Sequence, residues 1–197
     1  MYNYKKAAMF GLDARIALAI FGALSVISGA ALYSAIKQAK ITAIITELQE
    51  INKAVEEYML TTGQDLPESS VSGRFQIEAL VTKPSSIQTW NGPYLPYTAI
   101  DDNALSHPPY HGVHVFNRYV FEPWGGTVGT DASLPECTDA SKPCAHWASF
   151  SGLNIQQAEE FDKEIDGTLD YKNGKARVYV NAGTAFIYLQ GPIKISN

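Results

Sequence analysis

The chain has 197 residues, 46% of them hydrophobic, and carries 15 Lys and Arg against 20 Asp and Glu, a formal net charge of −5. Acidic balance without a basic stripe excludes nucleic acid as the working partner, because phosphate contacts need clustered cations. The length fits one long helix plus a single domain of about 137 residues, enough for a core that needs no metal to stand.

Met1 to Ala8 is short, polar and basic through Lys5 and Lys6, and Asp13 and Arg15 follow just ahead of an apolar run. From Ile16 to Ile36 there is no charge, and only serines, Gly22, Gly29 and one tyrosine interrupt Ile, Leu, Ala, Phe and Val. A helix rises ~1.5 Å per residue, so this run spans a hydrocarbon core of roughly 30 Å. A secretory signal has a shorter apolar region and ends at a cleavage site. Here the run continues through Lys37 and Lys40 into an amphipathic pattern instead. Ile41, Ile44, Ile45, Leu48, Ile51, Val55, Tyr58 and Met59 keep one face oily, while Glu47, Glu50, Asn52, Glu56 and Glu57 make the other polar. With no proline before Pro67, the pattern predicts one unbroken helix from about Gly11 to about Thr61, with Gly22 and Gly29 as its weak points. Lys5 and Lys6 favour a cytoplasmic N-terminus, and Lys37 and Lys40 beyond the run weaken that bias. Asp13 has two readings of equal standing: a first-turn carboxylate favoured by the helix dipole, or a functional acid drawn into the apolar layer towards a cation.

Thr62 to Pro67 stop the helix. From Pro67 to about Pro109 no period is sustained. Phe75 to Val81 reads as a helical turn or two, and Asn91-Gly92-Pro93 as a turn, with Trp90, Tyr94 and Tyr97 anchoring the connector by burying their rings. Gly112 to Phe121 reads as a strand, with Val113, Val115 and Asn117 on one face and His114, Phe116, Arg118 and Val120 on the other. Trp124-Gly125-Gly126 is a turn, Asp131 to Cys144 is loop sequence, and Trp147 to Phe150 is a short strand. Leu153 to Ile165 has helical spacing and stops at Asp166-Gly167. Lys175 to Val180 and Ala185 to Leu189, joined by Asn181 to Thr184, form a hairpin, and Ile193 to Ile195 adds a further short strand. The fold class is α+β: a long N-terminal helical spine, one half transmembrane and one half amphipathic, packed on a small antiparallel β-sheet.

No nucleotide loop, HExxH or GxSxG occurs in the sequence. His107, His111 and His114 flank prolines and Gly112, so no regular element aims them at one metal; they read as surface or loop histidines, and His146 as structural. Asp162, Glu164, Asp166 and Asp170 could offer oxygens to calcium but lack the EF-hand order, and a solvated acidic turn is the plainer reading. No metal, no cofactor and no enzymatic activity are expected. Cys137 and Cys144, with six residues between them in loop sequence, read as a local disulfide in a domain carried across a membrane, with two unrelated thiols as the alternative.

The N-terminal segment resembles the type IV pilins and the related pseudopilins of type II secretion. Those proteins have a basic leader cut just before a hydrophobic helix, an acid as fifth residue of the mature chain, and commonly a glycine nine residues later. Asp13 and Gly22 match, which places the cut between Ala8 and Met9. Ala8 and Asp13 stand where the family prefers glycine and glutamate, and Ala30 where it often has a helix-kinking proline. Trp90 to Leu95 is similar to the connector motif of major pseudopilins. Ala158 to Gly167 with Gly174 to Arg177 is similar to a helix-turn-strand segment of several pilin branches, and Cys137 and Cys144 to the disulfide of the variable C-terminal region.

The resemblance implies a leader at 1–8, an N-terminal helix at 9–61 with a transmembrane segment at 16–36, and a globular α+β domain at 62–197 with its connector at 62–111. It implies cleavage by a prepilin peptidase and N-methylation of Met9. It further implies residence in the bacterial inner membrane with the C-terminal domain periplasmic. Assembly by pilus or secretion machinery would then build a homo-oligomeric helical filament, an extracellular pilus or a periplasmic pseudopilus. Asp13, Gly22 and Gly29 would serve that assembly, and the lipid bilayer would be the partner before it. The alternative is a single-span membrane protein whose extracytoplasmic domain binds a partner and never polymerises.

Overall fold

The computed structural model describes residues 4–107 and 110–195. The chain divides into two compact units, residues 1–42 and 43–197. Helix α1 (Tyr4–Thr62) is continuous, as a sequence with no internal proline and only isolated glycines allows. It stops where Gly63 adopts φ 71° and donates its N–H to Met59 O at 2.8 Å.

In the second unit the oily stripe of α1 is core: Ile44, Leu48, Ile51, Val55 and Tyr58 are buried. A seven-stranded sheet has the order β1-β2-β3-β5-β7-β6-β4, with β1 (Thr98–Asp101), β2 (Ala104–His107), β3 (Tyr110–Tyr119), β4 (Gly126–Thr127), β5 (Cys144–Leu153), β6 (Ala176–Asn181) and β7 (Thr184–Ile193). Every neighbouring pair is antiparallel except β4 on β6, a two-residue parallel edge. Helix α2 (Ile155–Asp166) lies against β6 and β7. It opens on a capping box, Asn154 Oδ1 accepting Gln157 N–H and the Gln157 side chain accepting Asn154 N–H, and it closes on Gly167 in the left-handed region.

Register fixes the two faces of the sheet, because side chains alternate along each strand. Phe116 pairs with Trp147, and Arg177 with Tyr188, on one face; Val113 pairs with Phe150, and Asn117 with His146, on the other. The first face holds an aromatic cluster of Phe116, Val120, Trp124, Ala145, Trp147 and Tyr188. Trp124 meets Trp147 edge to face at 4.8 Å and Tyr188 at 5.1 Å. The Arg177 guanidinium lies within 5.6 Å of both indole rings, a buried cation held by π faces and by carbonyls. Trp124, expected in a turn, is therefore a core residue, and Gly126 beside it starts β4.

On the second face Phe75 stacks on His146 at 4.2 Å, and Asn52 of α1 donates to Leu189 O and Gln190 O of β7. That reach exists because β7 bulges: Gly191 and Pro192 together stand opposite the single residue His146. Pro192 has no N–H to lose from the ladder, and its carbonyl accepts the His146 Nδ1–H at 3.1 Å. A Cβ on Gly191 would press on the Asn52 side chain and lie 2.8 Å from His146 O.

Several expected elements change extent. Strands β1 and β2 lie in the stretch expected to be irregular, β5 is ten residues long rather than four, and Ile193 ends β7 instead of opening another strand. The piece at Phe75 to Val81 is a short 3-10 turn, Ile77–Leu80. The connector rings are half-buried rather than buried, and each makes an anchoring contact: Tyr94 packs edge-on to Tyr58 at 5.9 Å, Tyr97 to His107 at 4.7 Å, and Trp90 Nε1–H donates to Ala79 O. Replacing Gly191 with Ala is expected to cost about 1–3 kcal/mol, the range for overpacking a filled site; urea unfolding of the full chain measures it.

Candidate functional site

Two features carry functional weight: the apolar half of α1, and the disulfide loop, whose cysteines form a small buried cluster with Tyr119. In the first unit α1 is long and apolar enough to cross a membrane by length and composition, and none of its most apolar window is buried within the chain. Phe21 is 71% and Val26 73% exposed, and Leu18, Leu24, Ile27 and Leu32 also face outward. Water would charge heavily for this, since each fully exposed Leu, Ile or Phe forgoes roughly 1.5–3 kcal/mol of burial. The segment is built for a non-aqueous surrounding, a bilayer or other apolar helices.

Asp13 is exposed on this helix. At about 100° per residue it lies roughly opposite Gly22, while Gly22 and Gly29 share one face within about 20°. A Cβ on either glycine would meet nothing within 4 Å, so these glycines answer no packing need inside the chain. Ala8 and Met9 lie within α1 by backbone, and their side chains lie outside the described residues, as do Met1 to Asn3 altogether.

Cys137 and Cys144 are disulfide-bonded, with Cα atoms 5.9 Å apart. The loop they close is seated on Tyr119: its hydroxyl oxygen accepts Thr138 N–H and Asp139 N–H, both at 3.2 Å, and Lys142 lies 5.6 Å from its ring centre. These hydrogen bonds hold the Tyr119 hydroxyl pKa below its ordinary value. Lys142 also pairs with Glu122 at 2.8 Å. The bridge thus pins a proline-flanked loop that has no ladder of its own, to the start of β5.

The histidines and the acidic set have changed roles. His107 sits between Tyr97 and Phe150 with Glu47 at 3.6 Å, and His114 Nδ1 lies 2.7 Å from Asn103 O, with burial pushing its pKa down. These are strand residues, not loop ones. His111 has its side chain outside the described residues. Asp162, expected to be solvated, is fully buried, and its Oδ2 accepts Asp170 N–H at 2.7 Å. Asp166 accepts Lys175 N–H and Ala176 N–H, and Asp170 accepts Lys172 N–H. The turn's own amides use these carboxylates, which ties α2 to β6. Among the described residues no group of three or more His, Cys, Asp or Glu is arranged to hold a metal ion.

Residues 31–111 match the family model described as Type II secretion system (T2SS), protein G. The match takes in the later part of α1, the Trp90 to Leu95 connector, β1 and β2. Asp13 and Gly22 fall before it, and the cysteines after it. It supports a pseudopilin or type IV pilin-like identity. No curated protein and no solved structure matches the chain.

Two buried groups set opposing pH dependences. Burial pushes His146 down to about 4 from 6.5, so between those values the unfolded chain binds a proton the folded chain does not, and stability falls as pH falls. Burial pushes Asp162 up to about 6 from 3.8, so there the folded chain binds the extra proton, and stability rises as pH falls. The two slopes largely cancel from pH 6 to pH 4. Asp162→Asn is expected to leave a stability that drops steeply towards pH 4, by up to about 1.4 kcal/mol per pH unit, and His146→Gln one that climbs. Denaturant melts at half-unit pH steps read both slopes. Removing the bridge by Cys137→Ser with Cys144→Ser is expected to cost roughly 2–3 kcal/mol, the loop-entropy value for so short a loop, in the same melts.

Proposed function

We propose that this chain is the structural subunit of a type IV pilus or pseudopilus-like filament. The observation that carries the reading is the apolar half of α1, none of whose most apolar window is buried by its own chain, joined to the match over residues 31–111. Before assembly, residues 16–36 span the inner membrane, the leader 1–8 stays in the cytoplasm, and residues 62–197 form the periplasmic domain. A prepilin peptidase cuts between Ala8 and Met9, and Met9 becomes the N-methylated terminus.

Extraction by the inner-membrane assembly machinery then exchanges lipid contacts for helix contacts. Without a hydrophobic gain between helices already in lipid, close approach of small residues drives such association. Gly22 and Gly29 on one face supply it, with Ser25 beside them. Asp13, on the opposite side of the helix, meets a different neighbour and neutralises that neighbour's terminal amine. Two buried opposite charges gain little net energy, but breaking the pair costs about 3–5 kcal/mol, so the pair fixes register more than it adds stability.

Asp13→Ala is expected to leave the second unit folded by circular dichroism and to reduce sheared or sedimented filament at least a hundredfold, with Asp13→Glu restoring it. Undiminished filament from Asp13→Ala would remove Asp13 from the mechanism. Intact mass of the membrane-extracted protein tests the cut and the methyl group together. A chain still carrying Met1 to Ala8 in every assembled fraction would overturn the processing step.

A further inference from the structure

The chain contains two Asn-Gly dipeptides, Asn91-Gly92 and Asn173-Gly174. In such a pair no side chain shields the glycine nitrogen, which can close on the side-chain carbonyl carbon of the asparagine before it. The fold treats the two junctions differently. Gly92 is half-buried, and a Cβ there would run into the Trp90 and Tyr94 rings, so two aromatic side chains lie against that junction. Asn173, Gly174 and Lys175 are all exposed, in the stretch between α2 and β6 that belongs to neither element.

The exposed junction also holds its turn together. Asn173 Nδ2–H donates to Asp170 Oδ2 at 2.9 Å, and this bond keeps the Asp170 carboxyl below its ordinary pKa. Beyond Gly174, the Lys175 and Ala176 amides donate to Asp166 at 2.9 and 2.8 Å, and Arg177 donates to Gly174 O. A Cβ on Gly174, whose φ is 98°, would strike the Asp166 carboxylate. The main chain from Asn173 to Gly174 therefore sets the spacing by which the end of α2 grips the start of β6.

We propose that Asn173-Gly174 is a self-modifying site, at which Asn173 deamidates to isoaspartate and aspartate and so releases the tie between α2 and β6. Gly174 N gives up its proton to solvent base and bonds to Asn173 Cγ. The Cγ–Nδ2 bond breaks, the nitrogen takes up a proton and leaves as ammonia, and a five-membered cyclic imide remains. Water opens the ring at either carbonyl. One opening leaves aspartate in the ordinary backbone; the other routes the main chain through the former side chain. One water is consumed and one ammonia released, with no oxidant and no enzyme. Both products exchange the amide donor that Asp170 uses for a second carboxylate, a like charge beside it. The isoaspartate form also adds a methylene to the main chain, which carries the Lys175 and Ala176 amides away from Asp166.

The test holds the purified full chain in mildly alkaline buffer and follows both junctions by peptide mass spectrometry, with electron-transfer fragmentation to separate isoaspartate from aspartate. Conversion at Asn173 is expected to run roughly tenfold or more ahead of Asn91 in the folded chain, and the two rates to converge in concentrated urea. In the converted fraction, separated by ion exchange, the Lys175 and Ala176 amides are expected to exchange hydrogen roughly tenfold faster or more. Asn173→Gln, which would have to close a six-membered ring, is expected to stay unmodified with those amides protected. An Asn173 that stays intact in the folded chain, or an Asn91 that keeps pace with it, would overturn the site. The same preference for Asn173 in urea would overturn the part given to the fold, and unchanged exchange in the converted fraction would overturn the released tie.

Discussion

An α-helix satisfies its backbone hydrogen bonds within itself, and the rest of this protein depends on that property. Only such an element can run on from an apolar segment surrounded by no part of its own chain into a second unit where the same backbone carries a core stripe. A strand or loop from Ile16 to Ile36 would present unpaired amides to whatever apolar medium surrounds it. Because α1 does not, its side chains alone decide its surroundings, and they change character between Ile36 and Ile44. Lys37 and Lys40 mark the change, and Glu47 is the first carboxylate after it.

The second unit is organised by β5. It pairs with β3 on one side and β7 on the other, and both of its faces are buried. One face receives aromatic rings and the buried guanidinium of Arg177; the other receives Phe75 and is reached by Asn52 through the bulge at Gly191 and Pro192. The cost of two-sided burial shows in the polar groups drawn inside. Arg118, Arg177, His146 and Asp162 are all buried. A backbone partner reaches each of them, Arg118 donating to Gly73 O and Asn117 O and His146 to Pro192 O, although Arg118 Nε, Arg177 Nε, His146 Nε2 and Asp162 Oδ1 find no hydrogen-bond partner among the described residues. A buried cation with carbonyl and ring partners escapes much of the desolvation penalty that a bare one would carry.

The sequence makes the helices and the last hairpin legible because each has one wet face. The stripe of α1, the spacing of α2 with its Asp166-Gly167 stop, and the turn at Asn181 to Thr184 all leave a period to read. Strand β5 hides for the opposite reason: with both faces inside, Trp147 and Phe150 stand out while His146, Ser149 and Ser151 look like loop. Strands β1 and β2 hide behind their punctuation, since Pro96, the Asp101 to Asn103 turn and Pro108 bracket them so closely that no alternation is left. Of the candidate site, the apolar run and the paired cysteines are visible in the sequence. The burial of Asp162 is not, because the amide that takes its Oδ2 comes from a turn eight residues away, and no local pattern announces the bulge that lets Asn52 reach β7.

The order of elements along the chain has a further consequence for biosynthesis. The stripe from Ile44 to Tyr58 leaves the ribosome well before β7, the strand that Asn52 grips. At roughly 5–20 residues per second, that stripe waits on the order of ten seconds for its cover. During that interval the nascent polypeptide carries an oily helix face whose cover in the folded domain has yet to be made.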